Sequence, residues 1–314
     1  MTTPASSPRE RVLVTGATGF VGQHVVAALL DAGHRVVALC RRGSLPPALA
    51  GRCDAVLHGD VCDAAVQRDA LRDVQAVCHL AAHIPARYDG LDEIERCFAV
   101  NARAAIELAT CAADLGVRRF LHFSTGNMYL PGAGARAETD RIFPADCASD
   151  YMVSKLAAEI FLANLARRRP LELVVFRLGT PYGPGEPSHK VIPTFLRRAE
   201  QGQPLRLAGG GNAAFNFVDV RDVAELAAQA VAAPAQGFFN VGSGEHTTLL
   251  ELARTVAALP GIGAALEIEP AAAGAFGGFP AIAIDKARAT FGFAPRPLAA
   301  GLRDYRDFLR RTAP

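Results

Sequence analysis

Near its start the chain runs from Arg11-Val-Leu-Val-Thr15 straight into Gly16-Ala-Thr-Gly-Phe-Val-Gly22, and on into a helical pattern from Val21 to Ala32. Few folds accept a short apolar run that glycines close and a helix follows at once. The first glycine permits a tight turn, the second lets the backbone approach an anion, and the third lets helix pack on strand. The helix N-terminus adds unpaired N–H groups and the positive end of a dipole. A dinucleotide pyrophosphate is therefore expected at Gly16, Thr18, Gly19, Phe20, Val21 and Gly22, although the spacing is Gly-x-x-Gly-x-x-Gly rather than Gly-x-Gly-x-x-Gly.

The same alternation continues for about 180 residues. Further apolar runs at Arg35–Cys40, Ala55–His58, Ala76–Leu80, Phe120–Ser124 and Leu173–Arg177 are predicted strands, with helical stretches near Ile94–Leu115 and Tyr151–Arg168. Strand–helix alternation at this spacing implies right-handed crossovers and a doubly wound parallel sheet, an α/β, Rossmann-like domain over residues 1–178. After Gly179 glycine and proline become frequent, which marks a loop leaving the sheet. Residues 179–314 are expected to build mainly a smaller C-terminal substrate-binding lobe, with helices at Val191–Gln201 and Val220–Ala232 and with 215–245 returning to the first domain. The Ala/Gly-rich stretch Ala271–Gly278 is a candidate loop over the site.

Composition removes several classes of function. A net charge of +2 gives no reason to expect nucleic acid or an anionic membrane surface. No apolar run is long enough to span a membrane, and Met1–Arg9 lacks the apolar core of a secretory signal. Seven cysteines without a Cys-x-x-Cys pair suggest neither a disulfide framework nor a zinc site, so no metal is expected. The chain reads as a cytoplasmic protein kept reduced.

Three strand ends should surround the dinucleotide. The second ends in Cys40-Arg41-Arg42, where an acid would bond a ribose 2′-OH; two guanidiniums suit a 2′-phosphate instead, so the cofactor reads as NAD(P), leaning towards NADP. The third ends in Gly59-Asp60-Val61, with Asp60 placed to accept a bond from the adenine amino group. The fourth ends in Leu80-Ala81-Ala82, small enough for backbone to lie against the cofactor.

Chemistry is expected at Tyr151-Met-Val-Ser-Lys155. Positions four apart share a helix face, and an ammonium beside a phenol lowers the phenol's pKa by favouring the phenolate. A tyrosine so tuned can pass a proton to or from a substrate oxygen near neutral pH. Upstream, Phe123-Ser-Thr-Gly-Asn-Met-Tyr129 closes a predicted strand where a parallel sheet opens its ligand crevice. Thr125 is the first choice for a hydroxyl that orients that oxygen, with Ser124 in reserve.

These segments, with Asn101, RLGTPYGPG at 177–185, NFVDVRDVA at 216–224, FNVGSGE at 239–245 and FGFAP at 291–295, resemble the extended short-chain dehydrogenases/reductases of the NAD-dependent epimerase/dehydratase type over nearly the whole chain. The resemblance implies a catalytic Thr125–Tyr151–Lys155 set, with Lys155 also holding the nicotinamide ribose and Asn101 supporting the active-site region among the cofactor residues. It implies a homodimer through the helices near 94–115 and 151–168.

Departures from the family pattern are as informative. Members that dehydrate nucleotide sugars carry Asp-Glu directly after the threonine, where this chain has Gly126 and Asn127, so a 4,6-dehydratase is disfavoured. Three diphosphate anchors of nucleotide-sugar members are replaced by Thr180, Phe215 and Ala275, with Lys190, His189 and Arg197 as candidate compensation. Phe215, Phe217, Phe276 and Phe279 would add aromatic surface on the substrate side.

The reading is an oxidoreductase or epimerase acting at a secondary alcohol/ketone carbon of a small molecule, a sugar or nucleotide-sugar by family frequency. The alternative is an NADPH-dependent reductase of a non-sugar carbonyl, hydroxysteroid- or flavonoid-like. A non-catalytic dinucleotide sensor is the bland alternative, against which the retained Thr125, Tyr151 and Lys155 argue.

Overall fold

The computed structural model describes residues 9–85, 91–130, 132, 134–142, 147, 149–270 and 276–312. Its centre is a parallel sheet of β1 (Arg11–Thr15), β2 (Arg35–Cys40), β3 (Ala55–His58), β4 (Ala76–His79), β5 (Arg119–Thr125), β6 (Glu172–Leu178) and β7 (Gly237–Val241). Spatial order is β3-β2-β1-β4-β5-β6-β7, and every neighbouring pair runs parallel. The order reverses between β1 and β4, which opens a crevice beyond their carboxyl ends.

The strands read as continuous apolar runs because both faces are covered. On one face α1 (Phe20–Asp31) packs directly on the later helix Val220–Ala232, over a core that includes Val12, Val14, Val25, Leu29, Phe176, Val223 and Phe239. On the other face Ala64–Ala70, Ala104–Asp114 and Asp150–Ala166 cover Leu13, Val37, Val77, Phe120 and Val175. The helix expected at Ile94–Leu115 is longer and not uniform: Leu91–Arg96 and Ala104–Asp114 are α-helical, and Cys97–Arg103 between them is wound as a π-helix. Such widened turns are frequent at functional sites, and Asn101 lies in this one.

After β6 the chain builds a lobe with its own core, in which Tyr182, Phe195, Leu205, Phe217, Leu252 and Leu302 meet. Three two-stranded pairs stitch it: Thr180–Tyr182 with Phe217–Asp219, Leu205–Leu207 with Leu266–Ile268, and Ala214–Phe215 with Thr247–Thr248. Helices Val191–Glu200, Leu249–Ala257 and Leu298–Thr312 enclose it. Between lobe segments the chain returns to add β7 against β6, and Ile284, Ala287 and Phe293 return again to the sheet's core. No helix among the described residues is long and apolar enough to cross a membrane.

Candidate active site

The glycine turn is built by close approach. Gly16 has φ +68°, a left-handed conformation that disfavours a side chain, and a Cβ there would lie 2.7 Å from the Ala81 backbone nitrogen. A Cβ on Gly22 would lie 2.1 Å from the Gly16 carbonyl oxygen, so only glycine lets α1 sit on the turn. No side chain caps α1 at Gly19, which leaves the first-turn N–H groups of Phe20, Val21 and Gly22 for an anion. In front lies a cavity of about 230 Å³, lined by Gly16, Thr18, Gly19, Arg41, Arg42, Gly59, Val61, Leu80, Ala81 and Ala82. These elements fit a dinucleotide: a phosphate cradle that a methyl group would fill, two exposed guanidiniums at the end of β2, and flat small residues after β4.

Some expected cofactor residues take other roles. Phe20 contributes backbone to the helix N-terminus, while its ring stands edge-on to His24. Asp60 does not line the cavity; its carboxylate accepts the Cys62 backbone N–H at 2.9 Å. Asn101, expected among the cofactor residues, is held away from the cavity. It is completely buried, and its carboxamide is committed to the chain: it accepts from His83 N at 2.7 Å and donates to His83 O at 2.9 Å and to Ser154 Oγ at 3.0 Å. It therefore ties the π-helical turn to the loop after β4 and to the helix bearing Tyr151, rather than facing a cofactor.

The chemical side of the crevice lies at the end of β5. Thr125 caps the 3-10 turn Gly126–Met128, its Oγ1 accepting the Asn127 backbone N–H at 3.1 Å. A hydroxyl has one hydrogen and two lone pairs, so this bond uses a lone pair and leaves the hydrogen for a substrate oxygen. Strand alternation puts Ser124 on the face opposite to Thr125, where its buried Oγ has no hydrogen-bond partner. Ser149 caps the helix Asp150–Ala166 through its bond from Met152 N, which sets Tyr151 in the first turn and Lys155 one turn on. Tyr151 packs beside Met128, Met152 and Leu156, joining that helix to the turn after Thr125.

Lys155 is 1% exposed, and burial lowers its ammonium to a pKa of about 8, with Glu159 opposing. Beneath it is a polar layer that sequence reasoning missed. Glu159 receives a forked bond from Arg177, at 3.1 Å from Nε and 2.6 Å from Nη2. Arg177 also donates to Tyr129 Oη at 2.6 Å, and Tyr129 donates on to Asn240 Oδ1 at 2.9 Å. Beside it His79 and His122 stack with ring centroids 5.6 Å apart. Burial first, then the nearby Lys155 charge, lowers both, so they stay neutral; Thr15 Oγ1 lies 2.8 Å from His79 Nδ1. The signals available were Glu159 one turn beyond Lys155 and two histidines in predicted strands, but their meeting depends on register.

Towards the lobe, Asn127, Met128, Cys147, Met152, Phe276 and Phe279 are among the residues around a second cavity of about 620 Å³. Gly126 is buried against Ile282. Phe215, Phe276 and Phe279 form a mutual aromatic cluster, whereas Phe217 is 2% exposed in the lobe core and offers the cleft nothing. Thr180 opens the strand Thr180–Tyr182 and is fixed there by its N–H to Asn216 O. Lys190 is exposed at the start of Val191–Glu200 and does not line this cavity. Ala275, and residues 271–275 of the expected loop, lie outside the described residues.

A doubly wound sheet, a glycine-built anion cradle at its switch point and a Tyr-x-x-x-Lys helix beside the end of β5 define a dinucleotide-binding enzyme. The chain matches the NAD dependent epimerase/dehydratase family over residues 12–242, and it belongs to that family, as an extended short-chain dehydrogenase/reductase. It is 30% identical to a dTDP-4-dehydro-6-deoxy-D-allose reductase of Streptomyces bikiniensis, with 95% of this chain and 96% of that one covered. Among solved structures it is similar to the UDP-glucose 4-epimerase of Thermotoga maritima with UDP-glucose, at a TM-score of 0.84 and 25% identity over 97% of this chain and 100% of that one. It is also similar to MoeE5 in complex with UDP-glucuronic acid and NAD, at 0.83 and 28% over 96% and 99%.

Proposed function

We propose that the protein is an NAD(P)-dependent oxidoreductase or epimerase acting at one secondary alcohol/ketone carbon of a sugar-like ring. The observation that carries this is the packing of Tyr151 against Met128 of the turn that Thr125 caps, with buried Lys155 one helical turn further on. A bound nicotinamide dinucleotide supplies the hydride donor or acceptor. The chain moves the proton. Tyr151 gives it to, or takes it from, the substrate oxygen, and Lys155 favours the phenolate by its charge. Thr125 donates its remaining hydrogen to the same oxygen, and Asn101 holds the helix and the β4 loop together around them.

Relatives named for sugar nucleotides support the sugar-like carbon. The family also contains dehydratases, but elimination requires an acid and a base at adjacent carbons. Gly126 has no side chain and Asn127 no carboxyl group, so we place this chain outside the dehydratases. Arg41 and Arg42 beside the cavity, with no acid at the end of β2, support NADP over NAD. A homodimer is supported by an exposed apolar face on the two helices expected to form it, with Phe98 56%, Ile160 50% and Phe161 55% exposed.

The test is Tyr151→Phe. Turnover should fall at least about a hundredfold, the lower end for loss of a general acid/base, while titration with the dinucleotide shows unchanged affinity. Turnover at the parent rate would overturn the mechanism.

A further inference from the structure

Resting on that reading of the site, we infer that the part of the substrate beyond the reacting carbon is neutral and carries a planar apolar ring, and that it is not a nucleoside diphosphate. The second cavity begins at the proposed acid/base: Phe279 packs on the cluster of Met128, Met152 and Leu156 that also holds Tyr151. It widens to about 620 Å³ between Cys147, Phe276 and Phe279. No lysine or arginine lines it among the described residues.

A diphosphate carries at least two charges, and an anion taken from water needs cations or several donors to balance its lost hydration. Among the described residues the one imidazole in the lining is His246, and its Nε2 is bonded to the Phe279 carbonyl at 2.7 Å. Arg197 is spent on the carbonyls of Pro193 and Ser188. What the cavity offers instead is aromatic. Phe215–Phe279 and Phe276–Phe279 meet edge to face, with centroids 5.7 and 5.4 Å apart at 78° and 75°. Phe276 keeps 63% of its surface exposed, an apolar area that a neutral ring would cover without leaving a buried charge unpaired.

The experiment uses the dinucleotide-loaded protein and needs no turnover. The neutral aromatic probe N-phenyl-1-naphthylamine is titrated by fluorescence, and UDP by calorimetry. The probe should bind saturably and weaken about tenfold in Phe279→Ala, the loss expected for one buried aromatic contact. Phe276→Ala should weaken it in the same direction, and since that ring is mostly exposed its removal leaves the fold intact. UDP at about 5 mM should neither bind nor displace the probe, which places its Kd above the millimolar range. Saturable UDP binding at or below about 1 mM, or probe affinity unchanged in both variants, would overturn the inference. Because the readout is binding, it stands apart from Tyr151→Phe: active Tyr151→Phe sinks the mechanism alone, and tight UDP binding sinks the pocket assignment alone.

Discussion

Lys155→Met should make the protein more stable at neutral pH while abolishing its turnover. The side chain is 1% exposed, and burial takes its pKa from an ordinary 10.5 to about 8. At about 1.4 kcal/mol per tenfold change, holding the charge at pH 7 costs the folded chain about 3 kcal/mol. Methionine has similar length and no charge to desolvate. Its introduction does not orphan Glu159, whose carboxylate keeps the forked bond from Arg177. The sign with pH follows from a folded pKa below the unfolded one. Below pH 8 both states hold the proton and the whole cost is present. Between 8 and 10.5 the folded state has released the proton and the unfolded state has not, so parent stability rises relative to the variant. Urea unfolding at pH 7 and pH 10 should show the variant's advantage at the first and its narrowing at the second. A variant less stable than the parent at pH 7, or a gap of equal size at both, would refute the reasoning.

Other outcomes can be checked separately. Arg41→Ala should weaken NADPH binding with little effect on NADH; the two fluorescence titrations decide it, and equal parent affinities would remove the role given to Arg41. Gly22→Ala drives a methyl into the Gly16 carbonyl, so dinucleotide affinity should fall at least about tenfold. Parent-like affinity would mean that the turn yields at no cost. Phe161→Glu puts a charge on the exposed apolar helix face and should give a monomer by light scattering with an unchanged circular dichroism spectrum. A dimer persisting in that variant would move the interface elsewhere.

The parts of this fold that were legible in the sequence are those set by neighbours along the chain. Gly16 and Gly22, the five-residue run before them and the four-residue step from Tyr151 to Lys155 follow from local geometry, and the structure places them where that geometry requires. What was not legible depends on distant segments meeting. Apolar periodicity is nearly the same in an α-helix and in one π-wound turn, so Cys97–Arg103 gave no sign of itself. The stacking of His79 on His122 requires the register of β4 on β5. The Glu159–Arg177–Tyr129–Asn240 layer joins four elements, and no spacing rule links them. That Phe276 is exposed on the cluster with Phe215 and Phe279 while Phe217, in contact with Phe215, is buried in the lobe core likewise shows only in three dimensions.

The chain passes between sheet and lobe repeatedly: outwards after β6, back for the helix Val220–Ala232 and β7, outwards for Leu249–Ala257, and back again at Ile284. A lobe threaded in this way is not a cassette. It cannot be cut out, grafted or swapped between relatives at a single junction, because no single break frees it. New specificity on this scaffold is more readily reached by point replacement within the lobe, and the sheet then inherits each change as part of one cooperative unit.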